Sequence, residues 1–290
     1  MSTSTLSEEQ LEDYRREGYL VIERFLSEET LQQLDQTIRE ISERAIASGD
    51  WSGVLEVEPE TGGGLVARRI YNPFEQHENF RAVASDARLL DCVEDLIGPN
   101  ITLQHSKLNM KPARVGSPVE WHQDMAYFPH TNDDLVTTLI YLDDATVENG
   151  CLQVLPRHHT HFFNHALPDG RFAGMITEDV GSGRFGTPIS LAAPAGSAIF
   201  MHCITPHCSL PNRSQHGRRT LIFEYRAADS FPIYFSEMTA VAESKYRLLR
   251  GRPATHARLA GPSPLVPRVG KFASLYELQA KSKESMVGAR

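Results

Sequence analysis

Cysteine is scarce in this chain of 290 residues, and no two of its four cysteines form a Cys-x-x-Cys pair. Zinc ribbons and disulfide frameworks need closely spaced cysteines, so the sequence predicts neither. The four thiols are expected to be reduced and to lie in the core: Cys92, Cys151, Cys203 and Cys208. This cysteine usage predicts a cytoplasmic protein.

Long apolar runs and an excess of basic residues are also missing. No apolar stretch approaches the roughly 20 residues of a membrane helix, and residues 1–18 are polar and acidic, unlike a secretory signal. Asp and Glu number 37 against 29 Lys and Arg, which gives a formal net charge of −8. Nucleic-acid binders neutralise phosphates with a basic surface. The sequence therefore predicts neither a nucleic-acid nor a membrane partner, and it leaves a homo-oligomer open.

The composition is that of a globular protein, with 41% hydrophobic and 23% charged residues, and no linker-like segment divides it. We expect a single domain over residues 1–290, with residues 1–100 mainly helical. One amphipathic helix is capped by Ser7 and ends at Gly18, and a longer one is capped by Ser27. A third helix is predicted from Ala82 to Leu96, before Gly98.

From residue 101 the pattern changes to short segments of strand composition, separated by turn signals such as Asn149-Gly150. Short strands without helical crossovers favour an antiparallel sandwich or jelly roll. The fold class is therefore predicted to be α+β, with helices first and a jelly-roll core over about 101–234. Residues 157–187 are expected to form a lid or a substrate loop. Residues 235–290, whose last forty show no clear period, are expected to wrap the surface.

Histidines are unevenly distributed, and several of the 12 lie between residues 105 and 216. In an extended strand, residues i and i+2 face the same side, so His122 and Asp124 could present their side chains to one point. Taken alone, this triplet is more often a solvated turn or a hydrogen-bonded pair. His207 supplies a second imidazole, and two histidines with one carboxylate form a facial triad that leaves one side of iron(II) open. Zinc would accept the same ligands.

Arg218 follows His207 by eleven residues, through a turn at Pro211-Asn212. This spacing predicts a hairpin that brings Arg218 back on the strand beside His207. There its planar guanidinium could bind a carboxylate through two hydrogen bonds. A buried lone arginine costs several kcal/mol, so it would need an anionic partner such as a bound diacid. The alternative is a surface cation, a role that we expect for Arg213 and Arg219.

Several motifs occur in a fixed order along the chain: Met110-Lys111-Pro112, His122-Gln123-Asp124, Asn149-Gly150 through Pro156, His207-Cys208-Ser209, and Arg218. In this order they resemble the phytanoyl-CoA dioxygenase family of iron(II)/2-oxoglutarate oxygenases. The resemblance implies a double-stranded β-helix with helices packed outside. It also implies that His122, Asp124 and His207 bind iron(II).

The same resemblance implies roles for four further residues. Arg218, helped by Ser209, would bind the distal carboxylate of 2-oxoglutarate, Gln123 would contact co-substrate or substrate, and Lys107 would line the pocket. With 2-oxoglutarate and O₂ as co-substrates, succinate and CO₂ would be released. Because Asp124 is retained, hydroxylation is expected rather than halogenation. The substrate is expected to be a small molecule, whether a secondary metabolite, a small acid or an amino-acid derivative.

Two other functions remain open at this stage. One is a metal-binding jelly-roll protein without oxygenase turnover, which the complete set of predicted ligands disfavours. The other is a metal-dependent hydrolase or isomerase, which would not need Arg218. Other polar residues are given structural interpretations, with His202 packed and Glu224 in a cross-strand ion pair. Five histidines are expected at the surface or in loops: His105, His158, His159, His161 and His165.

Overall fold

The computed structural model describes residues 4–49, 53–58, 66–233, 247–260 and 275–287. Its N-terminal part contains α1 (Glu8–Glu17), β1 (Tyr19–Ile22), α2 (Glu28–Ser48), β2 (Leu55–Val57), β3 (Ala67–Tyr71), α3 (Pro73–Gln76), α4 (Glu78–Ala84) and α5 (Ala87–Ile97). The strands that follow are β4 (Ile101–Lys111), β5 (Val119–His122), β6 (Leu135–Tyr141), β7 (Leu152–Val154), β8 (Ile189–Ser190), β9 (Ala198–His202), β10 (His207–Ser209), β11 (Arg218–Ala227) and β12 (Leu248–Arg250). The last described element is α6 (Leu275–Val287).

The first helix begins and ends where the sequence predicts, and the second begins where it predicts. The Ser7 hydroxyl accepts a hydrogen bond from the Gln10 backbone amide, and the Gln10 side-chain oxygen accepts one from the Ser7 backbone amide, which completes a capping box. Gly18, with a φ of 85°, ends α1 in the left-handed region that favours glycine. Ser27 caps α2 through the Thr30 amide. These local hydrogen bonds confirm both helix predictions.

The prediction of one continuous third helix is wrong, because the structure has two helices there, and α4 ends before α5 begins. The Asp86 side chain accepts a hydrogen bond from the Leu89 amide and so begins a new helix inside the predicted one. The mainly helical character of residues 1–100 is confirmed. The sequence pattern did not predict β2 and β3, which join the larger sheet through β4.

The strands of the described residues form two antiparallel sheets. The larger sheet has the order β1-β9-β6-β11-β4-β3-β2, with β12 also paired to β4, and the smaller has the order β5-β10-β7-β8. One face of the larger sheet, which includes Leu108, Ile140 and Phe223, packs against the N-terminal helices. The opposite face, which includes Leu139 and Ile222, packs against the smaller sheet. This arrangement confirms the predicted α+β fold with helices outside a double-stranded β-helix, and it leaves the interior between the sheets for a site.

Two predictions about chain paths need correction. Residues 207 and 218 do not form a hairpin, because β10 lies in the smaller sheet and β11 pairs with β4 and β6 in the larger one. The last forty residues, for which no helix was predicted, contain α6. No helix among the described residues combines the length and apolar character needed to cross a membrane.

Candidate functional site

Three predicted side chains converge in the interior between the sheets. Pairing of β5 with β10 sets His122 directly opposite His207, and Asp124 opens a short 3₁₀ helix just after β5. The Asp124 Oδ1 atom lies 3.8 Å from His122 Nε2 and 3.7 Å from His207 Nε2. All three residues are buried. Two imidazoles and one carboxylate thus point to a single centre, although Asp124 lies beyond the strand that was expected to carry it.

Backbone carbonyls fix the orientation of both imidazoles. His122 Nδ1 lies 2.8 Å from the Glu120 carbonyl oxygen, and His207 Nδ1 lies 3.0 Å from that of Thr205. A carbonyl can only accept a hydrogen bond, so each Nδ1 carries the proton and each Nε2 presents a lone pair. This is the tautomer that metal-binding histidines adopt when a second group holds the other ring nitrogen.

A hydrogen bond also fixes the orientation of the Asp124 carboxylate. Thr137 on β6 donates a hydrogen bond of 2.7 Å to Asp124 Oδ2, which leaves Oδ1 facing the histidines. Burial alone would raise the pKa of Asp124, but His207, Lys107 and the other charged and hydrogen-bonding neighbours hold it well below its ordinary value. Burial, with His207 beside it, lowers the pKa of His122. An ionised acid and a neutral imidazole are the states in which these residues bind a metal.

This donor set fits iron(II). The one group of three such side chains that converges within the described ranges is His122, Asp124 and His207, whose donor atoms all lie within 4.8 Å of one another. Two nitrogen donors and one oxygen donor suit a facial triad that leaves positions open for other ligands. The arrangement could therefore hold a ferrous ion and a chelating co-substrate together.

Arg218 lies on the same interior surface as the triad. It is buried at the start of β11, where its Nη1 donates a hydrogen bond of 3.0 Å to Thr220 Oγ1 and its guanidinium carbon lies 5.9 Å from the centre of the Tyr141 ring. Tyr141 and Thr137 lie four residues apart on one face of β6, which corresponds to about 13 Å along the strand. Because Thr137 binds Asp124, the guanidinium and the triad lie along one surface of the interior.

Arg218 reaches this surface by a crossing between the sheets rather than by a hairpin. The crossing segment, residues 210–217, is held by Asn212, whose side chain donates to the carbonyls of Lys111 and His216. The buried Lys111 ammonium donates to the Leu210 carbonyl over 2.8 Å. Arg219, expected to be a surface cation, has a partly exposed side chain whose guanidinium forms ion pairs with Asp143 and Asp35.

A polar wall adjoins the triad on β4 and β11. Lys107 Nζ and His105 Nε2 each lie 3.0 Å from the same oxygen of Glu224. This confirms the ion pair predicted for Glu224, and Lys107 is close enough to Asp124 to lower its pKa. His105 was expected at the surface but is buried against Phe128. Ser209 is buried two residues after His207 on the same face of β10.

Gln123 is placed differently from the expectation. It is fully buried, and its side-chain amide donates to the carbonyls of His161 and Ile204 and accepts from the Phe163 amide. These bonds commit Gln123 to holding the 157–187 segment against β5 rather than to a co-substrate. A strand residue between two inward-facing ligands points away from them, which explains the placement.

The sequence interpretation missed the role of His165, which binds the Gln123 backbone. His165 is buried, its Nδ1 lies 2.9 Å from the Phe163 carbonyl, and its Nε2 accepts a hydrogen bond from the Gln123 amide. Burial lowers the pKa of His165 to about 4, so the ring is neutral and can accept this bond. The neighbouring Phe162 and Phe163 were the available signal, because apolar neighbours indicate that a loop histidine is packed.

Comparison with known proteins agrees with this geometry. The profile of the phytanoyl-CoA dioxygenase (PhyH) family matches residues 14–220. A protein of Stutzerimonas stutzeri, named a probable alpha-ketoglutarate-dependent hypophosphite dioxygenase, is 32% identical over 237 residues, which cover 78% of this chain and 80% of that protein. Methylphosphonate hydroxylase of Gimesia maris is 29% identical over 224 residues, covering 77% and 82%.

A solved structure shows the same fold. The crystal structure of EctD from S. alaskensis with bound Fe superposes with a TM-score of 0.69 at 21% identity, over 92% of this chain and 91% of that one. The family match spans most of the chain and includes all three converging side chains. The chain belongs to the phytanoyl-CoA dioxygenase family and is an iron(II)- and 2-oxoglutarate-dependent dioxygenase.

Proposed function

We propose that this dioxygenase hydroxylates a C–H bond of a small polar molecule, with iron(II) held by His122, Asp124 and His207. The observation that carries the proposal is the convergence of Asp124 Oδ1 on the Nε2 atoms of both histidines. With iron(II) and 2-oxoglutarate bound, the centre supplies oxidation of the substrate by O₂, coupled to release of succinate and CO₂.

Arg218 is the proposed anchor of the distal carboxylate of 2-oxoglutarate. Its place supports this role, because Arg218 is buried beside Tyr141 on the interior surface, and a guanidinium matches a carboxylate in shape and charge. The position of Tyr141 beside the guanidinium limits how far Arg218 can move. Ser209, on the strand face that carries His207, is proposed to add a hydrogen bond to the same carboxylate.

The proposed substrate is small and polar because of the wall beside the triad. Lys107 and His105 both contact one Glu224 oxygen in this wall, and covering these charged groups with an apolar substrate would cost desolvation energy. The names of two relatives, a hypophosphite dioxygenase and a methylphosphonate hydroxylase, agree with a small charged substrate. The residues of this wall would orient the target bond toward the metal and exclude water from it.

The proposal also covers the partners, the location and the domain organisation of the protein. The formal charge of −8 supports the absence of a nucleic-acid partner, and the four buried thiols support a cytoplasmic location. We also keep a single domain over residues 1–290, no membrane partner and an open oligomeric state, a homo-oligomer included.

The test is succinate formation by the purified protein with ferrous iron, 2-oxoglutarate, O₂ and a library of small acids, amino-acid derivatives and phosphorus oxyanions. We expect one class of compound to stimulate succinate release and to gain one oxygen atom by mass spectrometry. The matched control is Asp124→Ala, which removes one ligand and should abolish turnover in a folded protein. Equal succinate from this variant, or turnover with zinc and without O₂, would refute the proposal and favour a hydrolase or isomerase.

A further inference from the structure

The outer edge of β5 is closed by two segments that lie far apart in the sequence. β5 is the edge strand of the smaller sheet, with β10 on its inner side. Exposed backbone groups on such an edge need partners. The Ile176 amide of the 157–187 segment donates to the Trp121 carbonyl over 2.7 Å, and Gln279 of α6 accepts a hydrogen bond of 3.1 Å from the Glu120 amide. A side chain of α6 thus completes the edge of the strand that carries His122.

The Gln279 side chain also binds the 157–187 segment. Its Nε2 donates to the Gly174 carbonyl over 2.8 Å, and the Tyr127 hydroxyl donates to the same oxygen. Gln279 is only 3% exposed, so both of its hydrogen bonds are shielded from water. The Gln279 amide accepts from one backbone and donates to the other while remaining uncharged. Gln279 therefore joins β5 to the 157–187 segment.

The groups that share hydrogen bonds with the Gln279 side chain also contact His122. The Glu120 residue whose amide binds Gln279 also provides the carbonyl that holds His122 Nδ1 at 2.8 Å. The Tyr127 ring meets the His122 ring edge-to-face, with centroids 5.7 Å apart and an interplanar angle of 86°. Displacement of either the Glu120 backbone or Tyr127 would therefore tilt the His122 imidazole.

Other contacts dock α6 independently of Gln279. Lys283 forms an ion pair with the Glu120 carboxylate. Met286 packs against a small apolar cluster of the 157–187 segment, which contains Leu167, Ala173 and Met175. Because these contacts would survive a change at Gln279, the helix can stay docked while the two hydrogen bonds to the backbone are lost.

We propose that Gln279 is a positioning residue for His122, through which α6 completes the metal site. The role rests on the proposed function, since it requires His122 to bind the metal. Partners that orient a metal-binding histidine typically change metal affinity by about 10- to 100-fold when they are removed. Gln279 also sets the position of the 157–187 segment, because its second hydrogen bond ends on Gly174.

The experiment titrates the full-length protein with Co(II), whose visible absorption reports binding at a histidine and carboxylate site. We expect Gln279→Ala to raise the Co(II) dissociation constant about tenfold. Gln279→Glu should stay nearer to the wild type, because a carboxylate still accepts the Glu120 N–H. The control is Glu284→Ala, an exposed position on the same helix, which should match the wild type.

A second measurement follows the 157–187 segment by limited trypsin digestion after Arg171, whose side chain is exposed. Cleavage should be faster in both Gln279 variants, since both lose the donor to the Gly174 carbonyl, and unchanged in Glu284→Ala. Should Gln279→Ala fail to fold, the cleavage rate of Gln279→Glu decides the outcome. Co(II) affinity and cleavage equal to those of the wild type would overturn the role of Gln279. Absence of Co(II) binding by the wild type would instead overturn the metal site itself.

Discussion

Replacement of Thr137 by valine tests how the site orients its carboxylate. Valine keeps the shape of threonine but cannot donate the 2.7 Å hydrogen bond to Asp124 Oδ2. Both residues are buried, so water does not replace the lost donor. The change should therefore leave the fold of β6 intact while freeing the carboxylate to rotate away from the histidines.

The energy lost with this hydrogen bond follows from the charge of its acceptor, the ionised Asp124 carboxylate. A hydrogen bond to an ionised group contributes about 1.5–3 kcal/mol, which corresponds to roughly one to two pKa units. Because this bond helps to lower the pKa of Asp124, its loss raises that pKa. The pKa of Asp124 lies well below its ordinary value, so the acid stays ionised at neutral pH after this loss, and the effect on metal binding comes from the freed carboxylate. At neutral pH, metal affinity should fall about 10- to 100-fold.

The neighbouring residue provides the control. Thr138 is equally buried but faces the helical side of the sheet, and within the described residues its hydroxyl has no hydrogen-bond partner. Thr138→Val should therefore be neutral or stabilising, since it removes an unsatisfied buried polar group. The assay is a Co(II) titration at neutral pH, with thermal unfolding of both variants. Unchanged affinity in Thr137→Val, or equal losses in the two variants, would refute the reasoning.

Three further results are expected. Arg218→Met should raise the KM for 2-oxoglutarate by about two orders of magnitude with a smaller change in kcat, because a buried ion pair with the co-substrate is lost; an unchanged KM in succinate assays would contradict this role. Burial lowers the pKa of Lys111 from its ordinary value to about 7, so the unfolded chain binds more protons above that pH and stability should rise with pH by at most about 1.4 kcal/mol per unit. Lys111→Met should flatten that rise in denaturant titrations between pH 7 and 10 (roughly the window between the two pKa values), and an equal slope in both proteins would exclude Lys111 as its source. Removal of iron by a chelator should lower the Tm, and readdition of Fe(II) should restore it, whereas a Tm independent of metal would argue against a bound ion.

Local sequence signals determined the first elements of the fold. Caps such as Ser7 and Ser27 act within one turn of their helices, so their hydrogen bonds can be predicted without tertiary structure. The break between α4 and α5 was missed because apolar spacing continues across Asp86. The helix α6 was missed for a different reason, since its buried side chains include the polar Gln279 and Ser282, which give no apolar stripe.

For the site, the sequence by itself determined which chemical groups are present: two imidazoles, one carboxylate and a distant guanidinium, in an order that resembles one enzyme family. Only the tertiary structure decided how they meet. Strand pairing sets His122 opposite His207, and a crossing between sheets, rather than a hairpin, delivers Arg218 to the shared interior. The bonds of Gln123, His165 and Gln279 join segments up to 159 residues apart. Such contacts depend on long-range packing, which leaves no periodic or local mark in the sequence.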